Sequence, residues 1–308
     1  MIVYRELAEF KVDPNKPLTV VLGNFDGIHL GHQNLIKMAT NISREIKGET
    51  LVLTFYPPPQ LLFNSNFKML SSLDFKIGFF EALNIDKVLV IPFTQEFSRL
   101  TPEEFVREVL YKKISAKNIV CGFNYTFGHK GAGTVEDLIN LANKFEQKVR
   151  IMEPLYIKNQ LVSSTRIRKL ISLGQIEEAR ELLGYNPRIK GKVIQGNKIG
   201  RKIGFPTVNL SWDKQLMIPG TGVYAVEIKV GSVIKKGVAN IGYKPTISTE
   251  RNLTIEAHIF DFAQDIYNSE IELIFYHKIR NEIAFNSLEE LKNQIRNDNK
   301  IANNYFSK

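Results

Sequence analysis

Residues 18–32 read LTVVLGNFDGIHLGH, and this stretch decides how the first half of the chain folds. An apolar run suited to a buried strand leads into a turn with glycines, and a helix-like run, QNLIKMAT at residues 33–40, follows it. Glycines let a backbone approach a phosphate closely, and a helix N-terminus supplies unpaired N–H donors and a positive dipole end. His29 and His32 add two imidazoles there. The stretch therefore predicts a site for the phosphates of a nucleoside triphosphate.

The two histidines have competing interpretations. A histidine at a strand–helix turn is most often a surface residue or a satisfied buried one, although two of them around Gly31 are a rarer pattern. A zinc site is the other alternative. Cys121 is the only cysteine, so a cysteine cluster is excluded, and the sequence singles out no third ligand for a pair of histidines. Phosphate binding is the preferred interpretation.

Composition bounds the class of protein. A length of 308 residues suggests two domains, and a hydrophobic content of 44% supports packed cores. A single cysteine excludes an internal disulfide, and there is no signal-peptide pattern and no apolar run long enough to cross a bilayer. These features predict a cytoplasmic protein without a membrane partner. The basic residues behind the net charge of +9 are scattered and form no dense cluster of the kind expected in a nucleic-acid-binding tail, and phosphate-bearing substrates explain this charge as well as a polyanion does.

Up to about Tyr185, strand-like and helix-like runs alternate. Strands are predicted at residues 18–22, 51–56, 87–91, 118–122 and 149–152, and helices at 74–83, 102–113 and 134–145. This alternation predicts an α/β domain over residues 1–185 with a Rossmann-like, doubly wound parallel sheet. Ligands of such sheets bind beyond the carboxyl ends of the strands, so segments 23–32, 123–133 and 163–168 are expected to line one crevice.

After Asn186-Pro187 the rhythm changes. Apolar and polar residues alternate in the runs 188–195, 223–230, 233–241, 253–261 and 270–278, with Gly, Pro and Asn between them. This pattern predicts an antiparallel β-barrel domain over residues 186–308, closed by a terminal helix at residues 287–296.

Two further segments of the first half are candidates for ligand binding. The run SSTRIR at residues 163–168 offers hydroxyls that can cap a helix and arginines that can meet polyphosphate oxygens, although a capped, solvated helix is the simpler alternative. The run FNYTFGHKG at residues 123–131 combines aromatic rings with an asparagine, which suits a flat heteroaromatic ring. Its alternative is a loop whose aromatic residues only serve the core.

The second half contains its own dense motif, GRKIGFPTVN at residues 200–209. Its glycines allow close approach to phosphate, and Thr207 and Asn209 present oxygens on one side of an extended segment. Such hard oxygen ligands suit Mg²⁺ bound with a nucleotide. In the run EAHIFDF at residues 256–262, a predicted strand places Glu256, His258 and Phe260 on one face, where a carboxylate could take a proton from a hydroxyl.

The first half resembles the adenylyltransferases of the nucleotidyltransferase superfamily, whose signatures are HxGH and SSTxxR. This resemblance implies transfer of AMP from ATP to a substrate phosphate with release of pyrophosphate. It implies that His29, His32 and Arg168 act in catalysis, with the role of Arg166 less defined. The ATP contacts implied are Gly23, Asn24, Phe25, Asp26, His29, Gly31, His32, Ser164, Thr165 and Arg168.

The second half resembles bacterial riboflavin kinases, in the segments GRxxGFPTxN, NxGxxPT (here residues 240–246) and ExHxxDF. Together the two halves resemble the bifunctional riboflavin kinase/FAD synthetases. This implies riboflavin, FMN, FAD and ATP as ligands, Mg²⁺ on Thr207 and Asn209, and Glu256 as general base. The kinase ATP contacts implied are Gly200, Arg201, Gly204, Phe205, Pro206, Thr207 and Asn209, and the flavin contacts implied in the first half are Asn124, Tyr125 and Phe127.

Two alternatives stay open at this point. A different HxGH adenylyltransferase would explain the first half but gives no reason for the second. A basic nucleic-acid-binding module would require a basic stripe interleaved with aromatic residues, which the sequence does not contain.

Overall fold

The computed structural model describes residues 1–196, 200, 203–244 and 252–307. The chain divides into two compact units, Met1–Ser164 and Thr165–Lys308. The predicted domain boundary after Tyr185 therefore differs from the break between these units. The reason is that the two helices between residues 164 and 183 pack with the barrel strands: the N–H of Gly220 donates to the Ile171 carbonyl oxygen, and Glu177 pairs with His277.

The first unit contains a six-stranded parallel sheet in the order β1-β4-β3-β2-β5-β6. Its strands are β1 (Ile2–Tyr4), β2 (Leu18–Leu22), β3 (Glu49–Phe55), β4 (Lys87–Ile91), β5 (Ala116–Gly122) and β6 (Lys148–Met152). Its helices are α1 (Leu30–Glu45), α2 (Pro59–Phe63), α3 (Leu73–Ala82), α4 (Pro102–Glu104) and α5 (Val135–Asn143), and a small hairpin is formed by β7 (Tyr156–Ile157) and β8 (Gln160–Leu161). The doubly wound parallel sheet is confirmed, while β1 and the hairpin were not predicted.

Both faces of the sheet are covered, as a parallel sheet requires. Val20 and Leu22 belong to one hydrophobic core, and Val21 between them belongs to the other. Chain order reverses between β2 and β5, which lie side by side at the centre. Loops that follow these two strands therefore flank the crevice where open α/β sheets bind ligands.

The predicted helix over residues 102–113 is present, but it begins as an α-helix and continues as a π-helix. Thr101 caps it in a capping box with Glu104, and α4 then continues as a π-helix over Phe105–Lys113. The wider turns are visible in the bond from the Ile114 N–H to the Val109 carbonyl oxygen. Sequence periodicity predicts a helix here but does not distinguish i→i+4 from i→i+5 bonding.

The second unit is a closed antiparallel barrel in the order β10-β13-β12-β11-β14-β9. Its elements are α6 (Ser164–Leu173), α7 (Ile176–Leu183), β9 (Arg188–Ile194), β10 (Val208–Trp212), β11 (Gly222–Val230), β12 (Val233–Lys244), β13 (Asn252–Ile259), β14 (Glu270–Arg280) and α8 (Leu288–Phe306). The barrel and its terminal helix are confirmed, although α8 is longer than predicted. Gly184 ends α7 in the left-handed conformation.

Along each barrel strand, residues alternate between facing the barrel interior and facing its outer wall. Ile255, Ala257 and Ile259 of β13 face inward and are buried, as is Ala239, which pairs with Ala257. On the outside, α8 covers part of the wall, where Ala302 packs with residues of β11 and β12. The outward residues Asn209 of β10 and Glu256 of β13 are only partly buried.

Candidate active sites

The turn between β2 and α1 places both histidines at the N-terminus of α1. His29 is the N-cap residue, and its Nδ1 accepts a hydrogen bond from the backbone N–H of His32 at 3.3 Å. Because Nδ1 acts as the acceptor, a neutral His29 carries its ring proton on Nε2. Nε2 is thus a donor at the positive end of the α1 dipole, where an anion is favoured.

The two imidazole rings are stacked, with centroids 3.7 Å apart. Burial lowers the pKa of His32 well below its usual value, and the nearby charges of His29 and Lys76 lower it further. The His32 ring is therefore neutral at physiological pH. Within the described part of the chain, its Nδ1 is buried without a hydrogen-bond partner. A buried ring nitrogen of this kind is a position that a ligand group or water can complete.

The turn itself is held in an unfavourable backbone conformation. Phe25, Gly27 and Ile28 have φ values of 49°, 79° and 31°, and the side chains of Phe25 and Ile28 are fully buried. Left-handed conformations of residues other than glycine cost roughly 1–3 kcal/mol each and persist only where the surroundings enforce them. The unfavourable backbone free energy of this turn indicates that the site requires its particular shape.

Asp26 fixes the turn against the segment before α3. Its Oδ1 accepts hydrogen bonds from the backbone N–H of Leu70 at 2.8 Å and of Ser71 at 3.3 Å. In return, the N–H of Gly27 donates to Ser71 Oγ at 3.0 Å. The buried carboxylate of Asp26 is therefore engaged within the fold, and its contact with ATP stays a prediction.

The glycines of the motif have close neighbours that explain them. A Cβ on Gly31 would lie 3.2 Å from the His29 ring, and a Cβ on Gly23 would lie 3.0 Å from the Phe25 ring. Side chains at these positions would press on the rings that shape the turn. Whether the two glycines also contact ATP stays a prediction.

The second predicted phosphate motif begins at the same turn. Ser164 Oγ donates to the backbone carbonyl oxygen of Asp26 at 2.8 Å, which joins Ser164 to the histidine turn within the first unit. Thr165 and Arg168 lie on α6 and belong to the second unit. Their roles toward ATP stay predictions.

The candidate flavin segment follows β5. Asn124 is exposed, whereas Phe127 is 5% exposed and belongs to the core of the sheet. Tyr125 stacks on Phe127 with ring centroids 5.9 Å apart, and burial raises the pKa of its phenol. Both rings therefore serve the core, as the simpler alternative expected, and their contact with a flavin stays a prediction.

In the second unit, three polar residues form a row across adjacent barrel strands. Asn209 of β10 is paired with Glu256 of β13, and Glu256 is paired with Asn240 of β12. Directly opposed residues share one face of a sheet, so the three side chains point outward together. Val208, the neighbour of Asn209, pairs with the buried Ala257 and faces inward. Val208 and Asn209 therefore point to opposite sides of β10.

The loop before β10 folds over this row. An ideal Cβ on Gly196 would lie 2.1 Å from Asn209 Nδ2, and one on Gly200 would lie 3.2 Å from Thr207 Oγ1 and 2.3 Å from the Phe205 carbonyl oxygen. The loop backbone thus comes within reach of both predicted metal ligands only because glycines stand there. Gly204 completes the turn with φ of 89°.

His258 joins this loop to the strand that carries Glu256. Its Nδ1 lies 2.8 Å from the Pro206 carbonyl oxygen, and since a carbonyl can only accept, Nδ1 donates. The His258 ring also meets Phe205 and Phe260 edge-on. Glu256 and His258 lie on the outward face of β13. Phe260, which was predicted to share this face, lies just beyond the strand, which ends at Ile259.

In this region one predicted strand is shorter than expected, and some predicted contacts lie outside the described residues. The strand predicted over residues 253–261 ends at Ile259, and Asp261 beyond it has φ of 49°. The predicted ATP contact Arg201 and the end of the NxGxxPT segment, residues 245 and 246, lie outside the described residues.

Zn²⁺ and Mg²⁺ prefer different protein ligands, so the two metals can be considered separately. Within the described residues, no group of three or more His, Cys, Asp or Glu side chains is arranged to hold a metal ion. The hydroxyl of Thr207 and the amide oxygen of Asn209 are hard donors of the kind that Mg²⁺ accepts along with water and phosphate oxygens. The outward row therefore fits Mg²⁺ held together with a nucleotide.

Comparison with known families matches both halves of the chain. The family described as FAD synthetase matches residues 11–166, and the family described as riboflavin kinase matches residues 183–306. A protein named bifunctional riboflavin kinase/FMN adenylyltransferase from Listeria monocytogenes is 39% identical over 96% of this chain and 94% of its own length. The chain belongs to the bifunctional riboflavin kinase/FMN adenylyltransferase family.

Further relatives agree across the whole length. The bifunctional riboflavin kinase/FMN adenylyltransferase of Escherichia coli is 32% identical over 99% of this chain and 98% of its own. A crystal structure described as a macrolide-efflux protein from Streptococcus pneumoniae has a TM-score of 0.89 and 32% identity, and the match covers 98% of each chain. In the described part of our chain, no helix is long and apolar enough to cross a membrane.

Sequence reasoning about this bifunctional family member missed two residues beside the sites. Lys76 lies on the buried face of α3 with Phe80, and its ammonium reaches the histidine turn. His258 was placed on the right face, but its bond to the GFPT segment was not foreseen. Lysine is rarely buried, so a lysine one helical turn before the apolar Phe80 is the sequence signal that could have identified Lys76.

Proposed function

We propose that this chain makes FMN from riboflavin at the outward row of the barrel and FAD from FMN at the histidine turn. ATP is the co-substrate of both steps. The observation that carries the proposal is the presence, in one chain, of paired imidazoles at a helix N-terminus and of an Asn209–Glu256 row under a glycine loop. We place the functional boundary after Tyr185, so that the adenylyltransferase covers residues 1–185 and the kinase residues 186–308.

In the kinase step, the 5′-hydroxyl of riboflavin attacks the γ-phosphorus of ATP. Glu256 takes the hydroxyl proton, a new P–O bond forms, and ADP leaves. The backbone of the loop with Gly200 and Gly204 is proposed to lie along the phosphates of ATP, together with Arg201, Phe205 and Pro206. His258 keeps this loop on the strand of Glu256, which fixes the distance between base and nucleotide.

Thr207 and Asn209 are the residues proposed to hold Mg²⁺. When bound there, the ion offsets phosphate charge. The close approach of Gly196 and Gly200 to these two side chains leaves the loop no room for a larger residue.

In the adenylyltransferase step, a phosphate oxygen of FMN attacks the α-phosphorus of ATP and pyrophosphate leaves. No proton has to be abstracted from the ionised phosphate, so catalysis is positioning and charge stabilisation. The Nε2–H of His29 and the ring of His32 are proposed to contact the phosphates, and Arg168 to stabilise the leaving pyrophosphate. The N-terminus of α1 adds backbone donors and the positive dipole end.

The proposal is tested with two variants of the full chain, supplied with Mg²⁺ and ATP, and flavins separated by chromatography. His32→Ala is expected to convert riboflavin to FMN and to form no FAD. Glu256→Gln is expected to form no FMN from riboflavin and still to convert supplied FMN to FAD. Each variant is the folding control for the other, and Glu270→Gln, an exposed carboxylate on β14, is the matched control for loss of a barrel carboxylate.

A folded variant that lost both reactions would contradict the assignment of one site to each unit. Wild-type chain that formed neither FMN nor FAD would contradict the proposed function as a whole.

A further inference from the structure

Lys76 is a lysine with no solvent exposure, on the inner face of α3 beside Phe80. Its Nζ donates to the carbonyl oxygen of Asn24 at 2.8 Å, and that is the partner of its ammonium within the described part of the chain. Burial lowers the pKa of Lys76 to about 8, while the carboxylate of Asp26 acts in the opposite direction. The chain therefore keeps a charge in its interior directly under the histidine turn.

A buried charge that meets only a carbonyl and a neighbouring carboxylate is expensive for a fold. An apolar residue would satisfy the packing of α3 against the core, where Phe80 already lies four residues on. Local rules of folding thus argue against lysine at this position. Breaks of such rules concentrate at functional sites, where the stability that is lost supports activity.

The contact of Lys76 falls on the first residue of the strained turn. Asn24 precedes Phe25, whose backbone is already left-handed, and its carbonyl oxygen also accepts from Thr54 Oγ1 of β3 at 3.2 Å. Two donors from two elements therefore fix the orientation of this one peptide group. The direction of the following turn, and with it the N-cap at His29, depends on that orientation.

We propose that Lys76 is a positioning residue for adenylyl transfer: its ammonium fixes the Asn24 carbonyl and thereby the turn that presents His29 and His32 to the phosphates. This inference rests on the proposed function of the histidine turn. Lys76 itself touches no substrate, because its side chain is fully enclosed.

The charge has a second effect on the same site. Of the titratable groups that face Lys76, Asp26 lies in the turn and His32 lies on α1. The ammonium is one of the causes that lower the pKa of His32, after burial and the charge of His29. Lys76 thus helps to keep the stacked imidazole of His32 neutral before ATP arrives.

The test compares FMN adenylylation and riboflavin phosphorylation in the same preparations of full-length chain. In Lys76→Met, kcat for FAD formation is expected to fall about tenfold or more, since small displacements of positioned groups reduce rate at this scale. KM for ATP should change less than kcat, and riboflavin phosphorylation should stay within about twofold of wild type. Lys87→Met is the matched control, because Lys87 is also a buried lysine, paired with Glu49 where strands β4 and β3 begin.

The pH profile separates positioning from a packing role. In wild type, FAD formation should decline as the pH rises through about 8, where Lys76 loses its proton and the amine donates a weaker bond. In Lys76→Arg the guanidinium stays charged, so this decline should be absent even if the overall rate is reduced. Riboflavin phosphorylation should not show the decline in either chain.

Wild-type kcat in folded Lys76→Met, or the same alkaline decline in wild type and Lys76→Arg, would overturn the inference. If Lys76→Met does not fold, the comparison with Lys76→Arg decides alone. Wild type that phosphorylates riboflavin but forms no FAD would instead contradict the proposed function of the histidine turn.

Discussion

Lys76→Met should leave the first unit at least as stable as the lysine chain at pH 7, although it slows FAD formation. The folded state lowers the pKa of Lys76 from 10.5 to about 8, a shift that corresponds to about 3 kcal/mol. Below pH 8 both the folded and unfolded chains hold the proton, and the folded chain bears the full cost of burying the charge. Methionine removes that cost, and the Asn24 carbonyl still accepts from Thr54 Oγ1.

The sign of the pH dependence follows from the direction of this shift. Between pH 8 and 10.5 the folded lysine chain has released the proton while the unfolded chain retains it, so its stability increases with pH. By pH 9.5 this increase amounts to about 2 kcal/mol. The Met variant has no such increase. Its stability relative to wild type should therefore fall by about 2 kcal/mol between pH 7 and pH 9.5.

Each unit contains one natural reporter for this measurement. Cys121, the only cysteine, lies fully buried in β5, and burial raises its pKa to about 12, so it reacts with a thiol reagent only when the first unit opens. Trp212, the only tryptophan, lies in the barrel strand β10. Urea unfolding followed by labelling of Cys121 gives the free energy of the first unit, and Trp212 fluorescence gives that of the second.

The midpoint is the urea concentration at which half of Cys121 is labelled. If this midpoint changed with pH by the same amount in wild type and in Lys76→Met, the reasoning would be refuted. Such a result would show that the pKa of Lys76 is the same in the folded and unfolded chains. A Met variant several kcal/mol less stable at pH 7 would also refute the reasoning. Trp212 midpoints should not differ between the two chains at either pH.

Three further changes have expected results. Asp298→Ala removes the buried carboxylate that binds Arg280 through Nε at 3.0 Å and Nη2 at 2.9 Å, and should destabilise the barrel by roughly 3–5 kcal/mol in tryptophan-detected urea unfolding. Gly200→Ala would place a Cβ 2.3 Å from a backbone carbonyl oxygen, and should slow riboflavin phosphorylation while FAD formation from supplied FMN persists in the same chromatographic assay. Ser71→Ala removes the acceptor for the Gly27 N–H, and should slow FAD formation several-fold with thermal unfolding of the barrel unchanged.

Much of the architecture could be predicted from the sequence because its signals are local. The strand–turn–helix pattern around Gly23–His32 fixes the first βα unit, and α1 begins at Leu30 directly after the His29 cap. The loss of helical periodicity after Asn186 marks the barrel, whose strands alternate between buried and outward residues. Both patterns depend on neighbours a few residues apart.

The errors arise where distant contacts decide. The edge strand β1 is three residues long and is defined by its pairing with β4, which no local pattern announces. The break between the two compact units falls after Ser164 because α6 and α7 contact the barrel, while the domain boundary after Tyr185 stays a prediction. Lys76 was hidden for the same reason, since its partner Asn24 lies 52 residues away.

The interior of the barrel has a consequence for protein engineering. Small and branched side chains such as Ala239, Ile255 and Ala257 point into the barrel and are buried there. Substitutions among these inward side chains are expected to change heat tolerance. Under the proposed function, a change of preferred riboflavin analogue would come from residues on the outer wall and its described loops, which form a separate set.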